Sequence, residues 1–254
     1  MLLIGCIARA DTFAVEPEQT TDALYPYILY LEDSAQALTI DDVMNEPAER
    51  WTQNGNQVFN MGYSNSTWWL KVDLSNVSDK KLERFLEISY PVLDYVDAYI
   101  LNNGVLQQTY NLGDKYPFHQ RPVDHRHFII PLEWQGDETL TVFLAIRSSS
   151  SIQAPLTLWE QHAFYEVDQT RTLVQGVYYG IMFVMIMYNL FVYLVVGERN
   201  YLYYVIFVLC TPLFMASLNG YAFQYLWPHF TRWNDQAILV SLSGVVLFGA
   251  IFTY

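Results

Sequence analysis

From Thr172 to Gly197 the chain runs for 26 residues without a charge, and nothing else in the sequence restricts its fold as strongly. Within that stretch Gly176 to Val196 is almost wholly apolar. At about 1.5 Å of rise per residue it is long enough to cross a hydrocarbon layer about 30 Å thick. Two further runs follow, Tyr201 to Leu218 and Ala237 to Tyr254, each again uncharged. Residues 172–254 are therefore read as a transmembrane region with helices at 176–196, 201–218 and 237–254. The third run reaches the last residue, so the chain is expected to be the front part of a longer protein.

The residues before this point have another character. Residues 1–170 hold 10 basic and 24 acidic side chains, a net charge of −14. Such a balance argues against nucleic acid as a partner, because gripping the phosphate backbone depends on Lys and Arg. It suits a domain outside the cytoplasm, and roughly 150 residues suffice for one domain that buries about 70% of its unfolded surface. The two cysteines, Cys6 and Cys210, leave no internal disulfide for that domain, so packing must hold it. Leu2 to Ala8 is a short apolar run, and Ala8-Arg9-Ala10 fits a small-x-small cleavage pattern. Residues 1–10 are read as the remnant of a signal peptide; the alternative is a lipoprotein-type box, Leu3-Ile4-Gly5-Cys6, acylated at Cys6. Export of the N-terminal part and Arg199 in the short loop 197–200 set the expected topology: residues 11–170 and 219–235 outside, the loop inside.

Between Gln57 and Trp159, short strands recur about every ten residues with turn signals between them, the pattern of an all-β sandwich. Expected strands are Thr67–Leu74, Arg84–Ser89, Val92–Leu101, Val105–Tyr110, Arg126–Pro131, Thr139–Ile146 and Ala154–Trp159. Asn102-Asn103-Gly104 supplies a tight hairpin turn. Leu38 to Trp51 reads as a short helix or loop packed lightly on the sandwich.

The chemistry of catalysis is hard to place. Asp94 and Asp97, three apart on a strand, face opposite sides and cannot act as the carboxylate pair of a glycosidase. No Gly-rich phosphate loop or nucleophile turn occurs, and no cysteine nucleophile is available in the soluble part. His125 and His127 share a strand face but lack a third ligand, so no metal and no cofactor are expected. For ligand binding the candidates are Tyr63, Trp68, Trp69, Arg121 and Arg126, aromatic faces for sugar C–H groups and guanidinium forks for hydroxyls or a carboxylate. Adjacent Trp68 and Trp69 must point to opposite faces of their strand. The structural alternative buries one in the core and the other under a loop, with Arg121 pairing to Asp114 or Asp124. Asn65-Ser66-Thr67 and Asn76-Val77-Ser78 match glycosylation acceptors. In the first span Asn189 is expected to face a neighbouring helix, and Pro212 should kink the second.

Several of these residues occur in an order that resembles a known family. They are Asn60 to Ser64 leading to Trp68-Trp69-Leu70-Lys71-Val72, then Leu74 and Asn76; Gly113, Asp114, Pro117, Phe118, Arg121 and Pro122; and Ile146-Arg147-Ser148. In the membrane half Tyr179, Gly180, Tyr188, Asn189, Leu190, Tyr201 to Tyr204 and Gly220 to Pro228 continue it. Together, from about Ile28 to Tyr254, they resemble the seven-transmembrane receptors with diverse intracellular signalling modules. Lys71 stands where that family usually carries Arg. The resemblance implies a β jelly-roll sensor at residues 28–160, similar to carbohydrate-binding modules, ahead of seven helices and a cyclase, kinase or phosphatase output. It implies a bacterial inner-membrane protein that senses a small-molecule or glycan ligand in the periplasm, with the lipid bilayer and a second copy of itself as partners. The rival reading is a membrane-anchored carbohydrate-binding protein with no signalling role.

Overall fold

The computed structural model describes residues 12–254; the expected signal-peptide remnant at 1–10, and Cys6 with it, lie outside the described residues. Two units divide the chain, the first ending at Phe164 and the second comprising Tyr165–Tyr254.

The first unit is a β-sandwich. Its strands are β1 Phe13–Val15, β2 Thr21–Ala23, β3 Leu29–Asp33, β4 Thr52–Gln53, β5 Phe59–Tyr63, β6 Thr67–Asn76, β7 Leu82–Ile88, β8 Tyr95–Asn102, β9 Val105–Leu112, β10 Phe128–Trp134, β11 Thr139–Arg147, β12 Ser151–Ala154 and β13 Leu156–Glu160. The larger sheet has the order β4-β3-β6-β11-β8-β9, with β1 lying parallel against the end of β6. The second sheet has the order β10-β7-β13-β2, and β12 pairs with β5. Seven strands were expected; β1 to β5 and β12 are additional, because segments of two to five residues do not repeat the two-residue period often enough to register.

Alternation explains the packing. In β6, Trp68, Leu70, Val72 and Leu74 point inward and are buried, and Val96, Ala98 and Ile100 of β8 and Leu140, Val142, Leu144 and Ile146 of β11 do the same. They meet Leu82, Leu86 and Ile88 of β7, Phe128, Ile130, Leu132 and Trp134 of β10 and Leu156 and Leu158 of β13. The residues between them face outward, and each outer face has its own cover.

On the larger sheet, helix α1 (Ile40–Met44) and its flanks cover one half. Val43 and Trp51 pack there with Leu29, Leu31, Trp69, Leu101, Phe143 and Ala145. A capping box fixes the helix start: Thr39 accepts from the Asp42 N–H, and the Thr39 N–H donates to Asp42 Oδ2 at 2.9 Å. Toward β9 that face is only partly covered: Tyr95, Asp97 and Tyr99 of β8 are half-buried, with Tyr116 against Tyr95. On the second sheet, the outward Phe85, Glu87 and Trp159 lie beneath the first turn of α2 (Gln161–Val196).

The second unit holds the rest of α2, α3 (Arg199–Leu218), α4 (Tyr221–Tyr225) and α5 (Thr231–Thr253). Helices α2, α3 and α5 are long and apolar enough to cross a membrane. Helix α2 begins fifteen residues before the apolar run, since hydropathy marks only its lipid-compatible part. Helices α3 and α5 approach closely at two glycines: a Cβ on Gly244 would lie 2.5 Å from Cys210 Sγ, and one on Gly249 would lie 3.2 Å from Phe207. Pro212 sits inside α3, and its missing N–H leaves the carbonyl four residues earlier without its helical donor. Asn189 departs from expectation: its Nδ2 donates to the Met185 carbonyl of its own helix at 2.8 Å. An intrahelical acceptor satisfies the amide in an apolar setting as an interhelical one would.

Candidate functional site

The five residues singled out from sequence do not converge. Tyr63 is 84% exposed on β5. Trp68 lies in the core, its ring against Phe59 and Tyr30 and its Nε1 donating to Ser64 Oγ at 3.1 Å. Trp69, 3% exposed, is on the opposite face in the cluster under α1. Arg121 is also buried, its guanidinium between the rings of Phe118 and Phe128 at 4.6 and 4.5 Å. Arg121 Nη1 donates to the carbonyls of His125 and Arg126 at 2.8 and 2.7 Å. Burial pushes this group down to about 10, while the Asp114 carboxylate pulls the other way, so it stays charged at neutral pH. Arg121 thereby fixes the 121–126 loop that leads into β10. Arg126 is buried beside it, its Nη1 3.2 Å from His125 Nε2. As a glycosylation acceptor Asn76 is inaccessible: it is 1% exposed, and its amide donates to the carbonyls of Lys80 and Gln135.

Two arrangements that the sequence reading passed over stand out instead. The first occupies the part of the larger sheet's outer face that lies toward β9 from the α1 cluster. Tyr95, Asp97 and Tyr99 alternate outward along β8. Register places Arg147 of β11 opposite Tyr95 and Asn111 of β9 opposite Asp97. The Arg147 guanidinium lies 4.6 Å from the centre of the Tyr95 ring, Tyr116 meets Tyr95 edge-on at 5.7 Å, and Asn111 Nδ2 donates to Asp97 Oδ1 at 2.6 Å. Tyr99 stacks on Trp69 at 5.8 Å and 24°, so the buried tryptophan serves as the floor beneath an accessible ring. Desolvation raises the Tyr99 and Tyr116 phenols above their usual value, and the Asp97 charge raises both further. They remain neutral hydrogen-bond donors at any physiological pH.

Tyr116 owes its place to a glycine. Gly113 has φ +138°, and a Cβ there would fall 2.0 Å from the Asp94 carbonyl oxygen. Only glycine lets the chain leave β9, run tight against Asp94 and Tyr95, and close the Asp114 N–H onto the Leu93 carbonyl at 2.9 Å. Asp94 faces away from the aromatic platform and accepts from the Ser149 N–H at 2.9 Å. The two aspartates thus serve separate purposes. Chemically, the platform offers ring faces, neutral phenols, a carboxylate and a guanidinium on one surface, the complement of a polyhydroxylated ring.

The second arrangement is where α2 begins. Phe164, 2% exposed, packs edge-on against Phe85 at 5.5 Å, His125 at 5.2 Å and Trp159 at 6.2 Å. Beneath it Glu87, 1% exposed, accepts from His127 Nδ1 at 2.6 Å and from Trp159 Nε1 at 2.8 Å. Burial holds His127 below the usual imidazole value, partly offset by Glu87. The imidazoles considered for metal binding thus seat a helix.

Residues 25–160 match the 7TMR-DISM extracellular 2 family, and residues 171–254 match the 7TM diverse intracellular signalling family. The chain belongs to the 7TMR-DISM receptors. The β-sandwich of this 7TMR-DISM chain is the external sensor domain of a membrane receptor, and neither matched domain type is catalytic. A search of curated proteins finds no match. Among solved structures, a family 35 carbohydrate binding module from Clostridium thermocellum aligns at 12% identity, over 39% of this chain and 82% of that one, with a TM-score of 0.24. A β-glucosidase from Kluyveromyces marxianus in complex with glucose aligns at 8% identity, over 65% of this chain and 20% of that one, with a TM-score of 0.30.

Proposed function

We propose that this 7TMR-DISM chain is the non-enzymatic sensory front of a bacterial inner-membrane receptor. Its β-sandwich meets a carbohydrate ligand in the periplasm, and α2 carries the response toward a cytoplasmic output module. The observation that carries this reading is the open platform of Tyr95, Asp97, Tyr99, Asn111, Tyr116 and Arg147. Three phenol rings with a carboxylate and a guanidinium between them suit a sugar's apolar face and its rim of hydroxyls. The continuous run of α2, from Phe164 inside the aromatic cluster through to Val196, supports transmission along one helix.

The test is binding of the detergent-purified full chain to an array of immobilised mono- and oligosaccharides. Tyr99→Ala and Asp97→Ala should each weaken binding by about tenfold or more, the equivalent of about 1.4 kcal/mol. Tyr63→Ala, on a different strand pair, should leave it unchanged. Binding unaffected by the platform substitutions, or absent from every saccharide, would sink the reading.

A further inference from the structure

A strand at a sheet's end presents a row of backbone N–H and C=O groups able to pair with another strand, and most proteins blunt such ends. The two larger sheets end at β4, β9, β10 and β2. Strands β4 and β2 are two and three residues long, and β10 carries Pro131 and Glu133. Strand β9 has none of these devices. It is eight residues long, and Gly104 to Gly113 contains neither a charge nor a proline. Val105 and Leu106 are 61% and 45% exposed. Among the described residues β9 forms a ladder with β8 alone; at its far end the Asn111 carbonyl also accepts from Gln120 Nε2 at 3.5 Å. A bulge at Ile100/Leu101 bends the hairpin end, and the register is regular from Gln108 onward.

We infer that β9 is a self-association edge, pairing antiparallel with β9 of a second copy of this chain. Charge selects that occupant. Residues 1–170 carry a net charge of −14, so two copies repel across most faces but meet along this strip without opposing carboxylates. The nearby Glu133 is already paired with Lys81 at 2.6 Å. A basic partner would be drawn to the acidic surfaces rather than to an uncharged edge. Antiparallel pairing of identical edges has a two-fold axis perpendicular to the sheet, which leaves both outer faces on the same side. Asn111 of the platform is itself on β9, so the dimer sets two platforms side by side on one extended sheet, where a single oligosaccharide can span both. This last step rests on the carbohydrate reading; the pairing does not.

The experiment is the mass of the full chain in detergent micelles by light scattering, for the wild type and for Gln107→Lys with Gln108→Lys. Like charges placed opposite each other across a strand pair destabilise it, so the dimer's dissociation constant should rise by ~10-fold or more. Near-UV circular dichroism identical to wild type checks that the substituted chain is folded. In a Cys6→Ser, Cys210→Ser background, Gln107→Cys should form an intermolecular disulfide on mild oxidation, and Val77→Cys, exposed elsewhere on the domain, should not. A monomeric wild type, or a dimer that survives the lysines and is not trapped by Gln107→Cys, would overturn the inference. Loss of the dimer with saccharide binding retained would leave the ligand reading intact.

Discussion

At the scale of single residues, burial decides which polar groups can act. Arg121 is held by two carbonyls and two aromatic rings, so Arg121→Met should destabilise the β unit by about 2–4 kcal/mol by leaving those acceptors unsatisfied. Arg121→Lys should recover little, since an ammonium lacks the planar fork that both stacks and donates twice. Denaturant titration of the full chain in detergent, followed by near-UV circular dichroism, checks both. His127 gives a second prediction. Its folded value lies below the usual imidazole value, so the unfolded chain binds the proton more readily. Stability should therefore be fully present above about pH 6.5 and fall as the pH drops below it. His127→Asn should flatten that slope in denaturation midpoints measured across the range. The sequence announced that Trp68 and Trp69 point opposite ways, because the two-residue period of a strand is local. It could not announce that Arg121 turns inward, or that Glu87 reaches His127 from 40 residues away, because those depend on how loops close over a finished sheet.

At the scale of elements, the long alternating strands were legible and their trimmings were not. Strands β6 and β11 each carry four alternating apolar positions and β8 three, enough to declare a buried face. Strands β1 to β5 exist because other strands are there to pair with them: β6 for β1 and β3, β13 for β2, β3 for β4 and β12 for β5. The platform did leave a signal: Tyr95, Asp97 and Tyr99 alternate with Val96, Ala98 and Ile100, so one face of that strand reads as aromatic and acidic. What sequence hid was which part of the outer face α1 would cover. Gly113 is the element-level weak point. Gly113→Ala places a Cβ against the Asp94 carbonyl at a backbone angle that disfavours side chains. It should displace Tyr116 and reduce saccharide binding about as much as Tyr116→Ala does, measured on the same array.

At the scale of the whole molecule, one chain joins a solvent-built half to a lipid-built half. The change of composition near residue 170 made that division readable from the sequence alone. The position of the helix that links them was less legible, because the first turn of α2 packs on the second sheet through Phe164 and the residues after it carry charges that hydropathy treats as loop. For the chain to act as a receptor, ligand at the platform must alter the helix start, which packs on the outer face of the other sheet of the same sandwich. Hydrogen exchange of the full chain in nanodiscs, with and without the tightest-binding oligosaccharide, measures this at residues 161–172. The account predicts that exchange there changes on ligand addition, and that Phe164→Ala abolishes the change while binding persists. Saturating ligand that protects the platform yet leaves exchange at 161–172 untouched would contradict it, and would describe an anchored binding protein instead.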